Sequence, residues 1–228
     1  MPKQKGKLIV IDGLDGSGKA TQTKLLVNRL KKEGYQVAVS DFPQYYTSFF
    51  GRMVGRYLAG EFGKANQVNP YMASVLYALD RWEAKDKMER WLAEGRIIIS
   101  NRYVSANQIH QAGKIKGWRE KDKFLKWLEE MEFKAFGIPR PNLILFLNVP
   151  FRVGQRLVIK KGIRGYMGGV KRDIHEASKS HLTAAQKQVF NLVKKYTNWK
   201  KIDCIKNGKL LSREEVANII WRIVKKLV

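Results

Sequence analysis

Near the start of the chain, Gly13-Leu14-Asp15-Gly16-Ser17-Gly18-Lys19 stands between a short apolar run and a helical pattern. The glycines let backbone N–H groups close around a phosphate chain, and the N-terminus of the following helix adds partial positive charge. Lys19 can reach a transferring phosphoryl group. A plain glycine turn accounts for neither the lysine nor the density of glycines. The chemistry is therefore the binding and transfer of phosphate, in a P-loop. Such loops ordinarily follow the lysine with Ser or Thr, whose hydroxyl meets Mg²⁺. Here Ala20 stands there, and Thr21 is turned about 100° around the helix. Asp15 sits where phosphates would bind, so it needs a partner: a sugar hydroxyl, Mg²⁺ or an arginine.

The loop must be held by a sheet. Apolar, β-branched runs predict strands at Lys7–Ile11, Gln36–Val39, Arg96–Ser100 and Asn142–Leu147, with a weaker one at Lys201–Ile205. Nearly continuous hydrophobic strands separated by helices indicate a parallel sheet covered on both faces. Helical periodicity marks Lys19–Glu33, Asn69–Glu94 and Arg119–Phe136. Gly34 and Gly95 suit helix C-termini. Ser212 with Glu215 is a capping-box signature for a last helix running to about Leu227. The fold class is α/β, with a central parallel sheet flanked by helices.

The segments after the loop carry a resemblance. Phe42-Pro43-Gln44-Tyr45, Tyr57-Leu58-Ala59-Gly60-Glu61-Phe62-Gly63, Leu79-Asp80-Arg81 and Asn101-Arg102-Tyr103-Val104-Ser105-Ala106-Asn107 occur in that order. Together they resemble the thymidylate kinases of the P-loop nucleoside-monophosphate kinase group, from about Lys7 to Tyr196. The resemblance implies one three-layer P-loop kinase domain over residues 1–228, with an acceptor-binding segment at about 42–81 and a mobile lid at about 152–172. It implies ATP and dTMP as substrates, dTDP as product, and Mg²⁺ as cofactor. The other expectations weighed are a kinase for a different pyrimidine monophosphate or a deoxynucleoside, and a nucleic-acid-binding protein on a degenerate kinase scaffold.

Residue by residue, the resemblance assigns ATP to Gly13 through Thr21, and the acceptor phosphate to Arg81 and Arg102. A planar guanidinium grips phosphate at two points, which Lys cannot do. Phe42 and Tyr77 would sandwich a pyrimidine. Asn107 and Gln111 would bond its edge, with Ser105 close by, and Tyr45 and His110 would crowd the sugar. In the basic segment Lys160–Arg172, Arg164 is the candidate for a charge supplied to the transition state. Asp173 and His175 follow it, facing the metal waters and the acceptor. Asp15 and Asp173 would serve Mg²⁺ through water. Because the acceptor is already an anion, catalysis is positioning and charge neutralisation, with no strong base. Asn101 stands where the family's strand-end motif has Asp, so with Ala20 the direct protein contacts to the metal are reduced.

Composition narrows the partners. The 228 residues include 44 Lys+Arg against 20 Asp+Glu, a formal charge of +24. That raises the expectation of a polyanion partner, bound weakly and without specificity, against the rival of a solvated basic surface. No aromatic–basic interleaving, helix-turn-helix or zinc spacing supports a dedicated nucleic-acid binder. With 44% hydrophobic residues the chain is not disordered. The single cysteine, Cys204, allows no intrachain disulfide and fits a reducing, cytoplasmic setting. No stretch reaches the ~20 apolar residues of a membrane helix, and Leu8–Ile11 is too short for a signal peptide. The apolar content of Phe49–Leu58 and Met72–Met88, with the habit of the family, leads to an expected homodimer.

Overall fold

Leu8 to Ile11 form the middle of β1 (Lys7–Gly13), and their side chains alternate between two cores. Leu8 and Val10 enter one, Ile9 and Ile11 the other. A strand dry on both faces reads as one apolar run because water reaches neither side. The structure, a computed structural model, describes residues 5–64, 67–159 and 179–228. After β1 come α1 (Lys19–Lys32), β2 (Val37–Asp41), α2 (Phe49–Ala59), α3 (Pro70–Glu83), α4 (Lys85–Ala93) and β3 (Ile97–Asn101). A helical run follows, with α5 (Val104–Ala106), a π-helical turn Asn107–Gln111 and α6 (Ala112–Lys114). Next, α7 (Trp118–Glu129) passes into a second π-helical turn, Glu130–Ala135. The chain continues through β4 (Leu143–Asn148), α8 (Phe151–Ile159), α9 (Lys179–Lys195) and β5 (Trp199–Asp203). It closes with β6 (Ile205–Lys206), β7 (Lys209–Leu210) and α10 (Arg213–Val224).

The main sheet has the order β2-β3-β1-β4-β5 and is parallel throughout. Helices α1 and α10 cover the Ile9 and Ile11 face through Leu26, Val27, Leu30, Ile220 and Val224. The opposite face is covered by Ile109, Phe124, Leu128, Val189 and Leu192. The expected three-layer α/β fold is thus present. From β1 the chain passes to β2 at the sheet edge, returns as β3 beside β1, and crosses to β4 on the other side of β1, which opens a crevice beyond the carboxyl ends of these strands.

Several elements depart from expectation at their ends. β5 begins at Trp199, which is buried, and the chain turns out of the sheet after Asp203. Ile205 instead enters the β6–β7 hairpin, whose Asn207 and Gly208 both have positive φ, 50° and 75°. That is the conformation a two-residue hairpin turn favours. The helical pattern Asn69–Glu94 divides at Ala84: α3 lies along α2, while α4 turns to cover β3. The Ser212–Glu215 capping box forms both of its bonds, at 3.1 and 2.7 Å. Gly34 and Gly95 follow α1 and α4 with φ of 87° and 82°. The apolar residues of α2 to α4 also divide. Val54, Leu58, Ala73 and Met88 are core, whereas Phe49, Met72 and Trp82 lie open on the surface with neighbouring Tyr46.

Candidate active site

β1 delivers the phosphate loop to the crevice. Lys19 folds back over it, with Nζ donating to the carbonyl oxygens of Gly13 at 2.8 Å and Leu14 at 3.1 Å. Asp15 Oδ1 lies 3.6 Å from the same Nζ and accepts from Arg102 Nη2 at 2.6 Å. The partner that Asp15 requires is therefore Arg102, assisted by Lys19. Arg102 follows β3 directly and has φ of 63°. It is fixed there because its N–H donates to Ile11 O at 3.0 Å and its carbonyl accepts from Ser100 Oγ at 2.6 Å. A non-glycine residue held in this region stores strain, and such strain gathers at functional sites.

Two further residues shape the loop. Asp12, wholly buried, accepts from Ser105 Oγ at 2.6 Å and from Gly13 N–H at 2.7 Å. Ser105 is thus committed to the underside of the loop. On the other side, a Cβ on Gly16 would come within 2.1 Å of Gly154 O, and a Cβ on Gly154 within 2.5 Å of Asp15 O. The loop and α8 meet backbone to backbone. Asp12 and Gly154 were not among the sequence candidates. An acidic residue ending an otherwise apolar strand was the legible sign for Asp12.

The residues after β2 pack against α3 in the segment expected to bind the acceptor. Phe42 is buried against Tyr103, ring centroids 5.7 Å apart. Tyr77 is half-buried edge-on to Tyr57 at 6.0 Å, and Tyr45 packs in the same cluster. Asp80 accepts from Ser48 Oγ at 2.7 Å and Gln44 N–H at 3.1 Å, which pins residues 44–48 to α3. Desolvation raises the Asp80 carboxyl above its ordinary range, against the pull of those bonds.

Arg81 is buried in α3 and held by Glu132, Nε to Oε2 at 2.7 Å and Nη2 to Oε1 at 2.6 Å. Its Nη1 points to Tyr103 O at 3.4 Å. Asn107 Nδ2 donates to Ser74 O and to Glu132 Oε1, both at 3.2 Å. The structure therefore joins Arg81 and Asn107 through Glu132, which the sequence candidates did not include. Its sign was a carboxylate four residues after Leu128, on the apolar face of a helical pattern. Gln111 and His110 are buried in the π-helical turn, and Gln111 Oε1 has no hydrogen-bond partner among the described residues. Beside them Lys114 Nζ donates to Tyr57 Oη at 3.0 Å, and burial pushes its pKa down to about 8.

On the far side of the loop lies a cavity of about 520 Å³, lined by Gly16, Gly18, Thr21, Val149, Cys204, Leu211 and Arg213 among others. Its walls are mostly apolar, and Gln22 Nε2 ties α1 to Arg213 O at 2.9 Å behind it. An apolar cavity opening beside a phosphate loop suits the base of a nucleotide. Burial raises the Cys204 thiol to about 11, which makes it inert packing.

The metal question turns on the strand ends. Asn101 Nδ2 donates to Asp41 Oδ1 at 2.8 Å, and Asn101 Oδ1 is buried with no hydrogen-bond partner among the described residues. Desolvation raises the Asp41 carboxyl, opposed by the Asn101 bond and by the charges of Arg102 and Lys19. Among the described residues no three His, Cys, Asp or Glu side chains gather as a metal cage. Asp15, Asp41 and the amide oxygen of Asn101 offer the hard oxygen donors that suit Mg²⁺ held mainly by phosphates and water. Arg164, Asp173 and His175 lie outside the described residues.

The thymidylate kinase family model matches residues 11–215. A thymidylate kinase of Schizosaccharomyces pombe is 32% identical over 154 residues, 67% of this chain and 66% of that protein. Thymidylate kinase of Homo sapiens is 27% identical over 149 residues, 65% of this chain and 64% of that protein. The matched stretch thus spans a little under two thirds of these relatives. A solved thymidylate kinase from Candida albicans shares the fold, with a TM-score of 0.70 at 22% identity, covering 97% of this chain and 92% of that one.

Proposed function

The chain belongs to the thymidylate kinase family, and from that premise we propose that it transfers the terminal phosphoryl group of ATP to dTMP, giving ADP and dTDP. The observation that carries the reading is Lys19 laid over its loop while Arg102 reaches the same Asp15 from the end of β3. One cation belongs to the donor side and the other to the acceptor side, and Asp15 lies between them.

A phosphate oxygen of dTMP attacks the terminal phosphorus. The bond from that phosphorus to the bridging oxygen breaks, and ADP leaves with the electron pair. The attacking oxygen is already an anion, so no residue has to remove a proton. What the chain supplies is alignment and positive charge. The loop N–H groups and Lys19 hold the donor phosphates, with the donor base in the cavity beside Cys204 and Leu211. Arg102 exchanges Asp15 for the acceptor phosphate. Arg81, its charge met by Glu132, turns Nη1 to Tyr103 O, and Asn107 shares the Glu132 oxygen that Arg81 Nη2 engages. Asp15, Asp41 and Asn101 would face a Mg²⁺ bound with the nucleotide, which would supply charge neutralisation.

Thymine and uracil differ by one methyl group, worth about 1–3 kcal/mol in such a pocket. The proposed setting is cytoplasmic. No helix among the described residues is long and apolar enough to cross a membrane. A homodimer is proposed through α2 and α3, supported by open Phe49, Met72 and Trp82. The test is ADP release from ATP and Mg²⁺ with dTMP, dUMP, UMP, dCMP, AMP and thymidine each offered as acceptor. Turnover with dTMP, lost in Lys19→Ala and Arg102→Ala, is expected. Absence of turnover with every acceptor, from folded protein, would overturn the proposal.

A further inference from the structure

Position 101 carries an amide at the end of β3, where its oxygen is buried and unmatched, and position 20 carries no hydroxyl. Both positions lie on one side of the sheet. Ile97 and Ile99 pack into the core beneath α1, and Asn101 follows them at the strand's period of two. Val37 packs against the same core, and Asp41 lies in register with Asn101 at the end of β2. Strands β2 and β3 both touch α1, so Asp41 and Asn101 end beside the N-terminus of the helix that carries Lys19 and Ala20.

The bond between the two fixes their roles. A carboxylate can only accept, so the amide nitrogen of Asn101 faces Asp41 and its oxygen faces away. Asn101 engages Oδ1 of Asp41, and no ion pair holds Asp41 among the described residues. The nearby cations are already met by others: Arg102 by Asp15, and Lys19 by two carbonyls and Asp15. Asp41 is therefore not required as their counter-ion. A carboxylate and an unmatched amide oxygen, side by side at the loop, form an edge of hard donors with one negative charge.

We propose that Asp41 is the metal-facing carboxylate of this site, its charge supplied from β2 across the strand register to the place where Asn101 carries none, and that Asn101 orients it. This rests on the phosphoryl-transfer reading above. Asp41 acts through metal-bound water, in keeping with the reluctance of Mg²⁺ to shed its hydration shell.

The test uses Mn²⁺ as a spectroscopic probe. Free Mn²⁺ is followed by electron paramagnetic resonance during titration of the enzyme–ADP complex, and calorimetry measures ADP binding without metal. Asp41→Asn is expected to weaken Mn²⁺ binding in the complex about tenfold, the scale of loss when an outer carboxylate is removed. Metal-free ADP should bind as well or better, because an anion beside the loop is gone. The exchange variant Asp41→Asn/Asn101→Asp should return Mn²⁺ affinity to within about twofold of wild type, by restoring the charge on the neighbouring strand. Circular dichroism checks that each variant is folded. Unchanged Mn²⁺ affinity in Asp41→Asn, with ADP still bound, would overturn this inference alone, as would an exchange variant that folds and recovers nothing. A wild-type chain that binds no ADP would overturn the phosphoryl-transfer reading and this one with it.

Discussion

Glu132 grips Arg81 at two points, with both side chains sealed from water although they stand 51 positions apart in the chain. The pair is neutral as a whole. Arg102, by contrast, is partly exposed and pairs with Asp15 at the mouth of the loop. Asn107 shares the Glu132 carboxylate, so one acid sets the direction of two donors.

Removing one partner of such a pair strands the other's charge. Glu132→Gln is expected to lower unfolding stability by about 3–5 kcal/mol. Arg81→Met/Glu132→Leu, which removes both charges, should regain most of it. Urea denaturation of the wild type and these variants checks this. A Glu132→Gln protein as stable as wild type would show that the pair is not dry.

Arg102 is strained for a purpose. Glycine accepts a φ of 63° without penalty. Arg102→Gly should therefore melt at least as high as wild type while losing about 10²-fold or more in turnover, because the Asp15 partner and the proposed phosphate clamp are gone. Thermal unfolding and steady-state assay on one sample give both signs.

The backbone contact between the loop and α8 leaves no room for a methyl group. Gly154→Ala would set a Cβ 2.5 Å from Asp15 O and push the loop. ADP affinity should fall at least tenfold, with about 1–3 kcal/mol lost from stability as overpacking. Gly34→Ala, at a helix end where nothing stands within 4 Å, is the control that bears only the strain of its φ. Calorimetric ADP binding separates the two.

Lys114 gives a pH signature. Burial brings its pKa from 10.5 to about 8 in the folded protein. Between these values the unfolded chain keeps a proton that the folded one has released, so stability rises with pH across that window. Below it the full cost of the buried charge is present. Lys114→Met should gain on the wild type at about pH 7, and the gain should shrink by about pH 9.5. Denaturation at both pH values tests this, and an equal difference at both would show that burial is not the cause.

The sequence is legible where structure is local. The P-loop, the four strongly apolar strands and the Ser212–Glu215 cap each depend on neighbours a few residues away, and each lies where expected to within two residues. Glu132 stood on the apolar face of its helical pattern, but its role was hidden because that role needs a partner in α3 far away in sequence. The break at Ala84 was hidden because both halves keep an apolar stripe while packing on different elements. Ser105 is close in sequence to the residues expected to bind the base, yet its hydroxyl turns beneath the loop to Asp12. Asp41 and Asn101 meet only through strand register, which a linear reading of either segment does not contain.

The carbonyls of Gly13 and Leu14 keep Lys19 in one pose before any nucleotide arrives. A free lysine side chain carries about 2 kcal/mol of rotamer entropy. In this protein that disorder is surrendered once, when the chain folds, rather than at each encounter with a phosphate ligand. The loop should therefore bind phosphate with a smaller entropic penalty than its flexible lysine would suggest, and the enthalpy of binding should be correspondingly muted, since incoming oxygens replace acceptors that Lys19 already has.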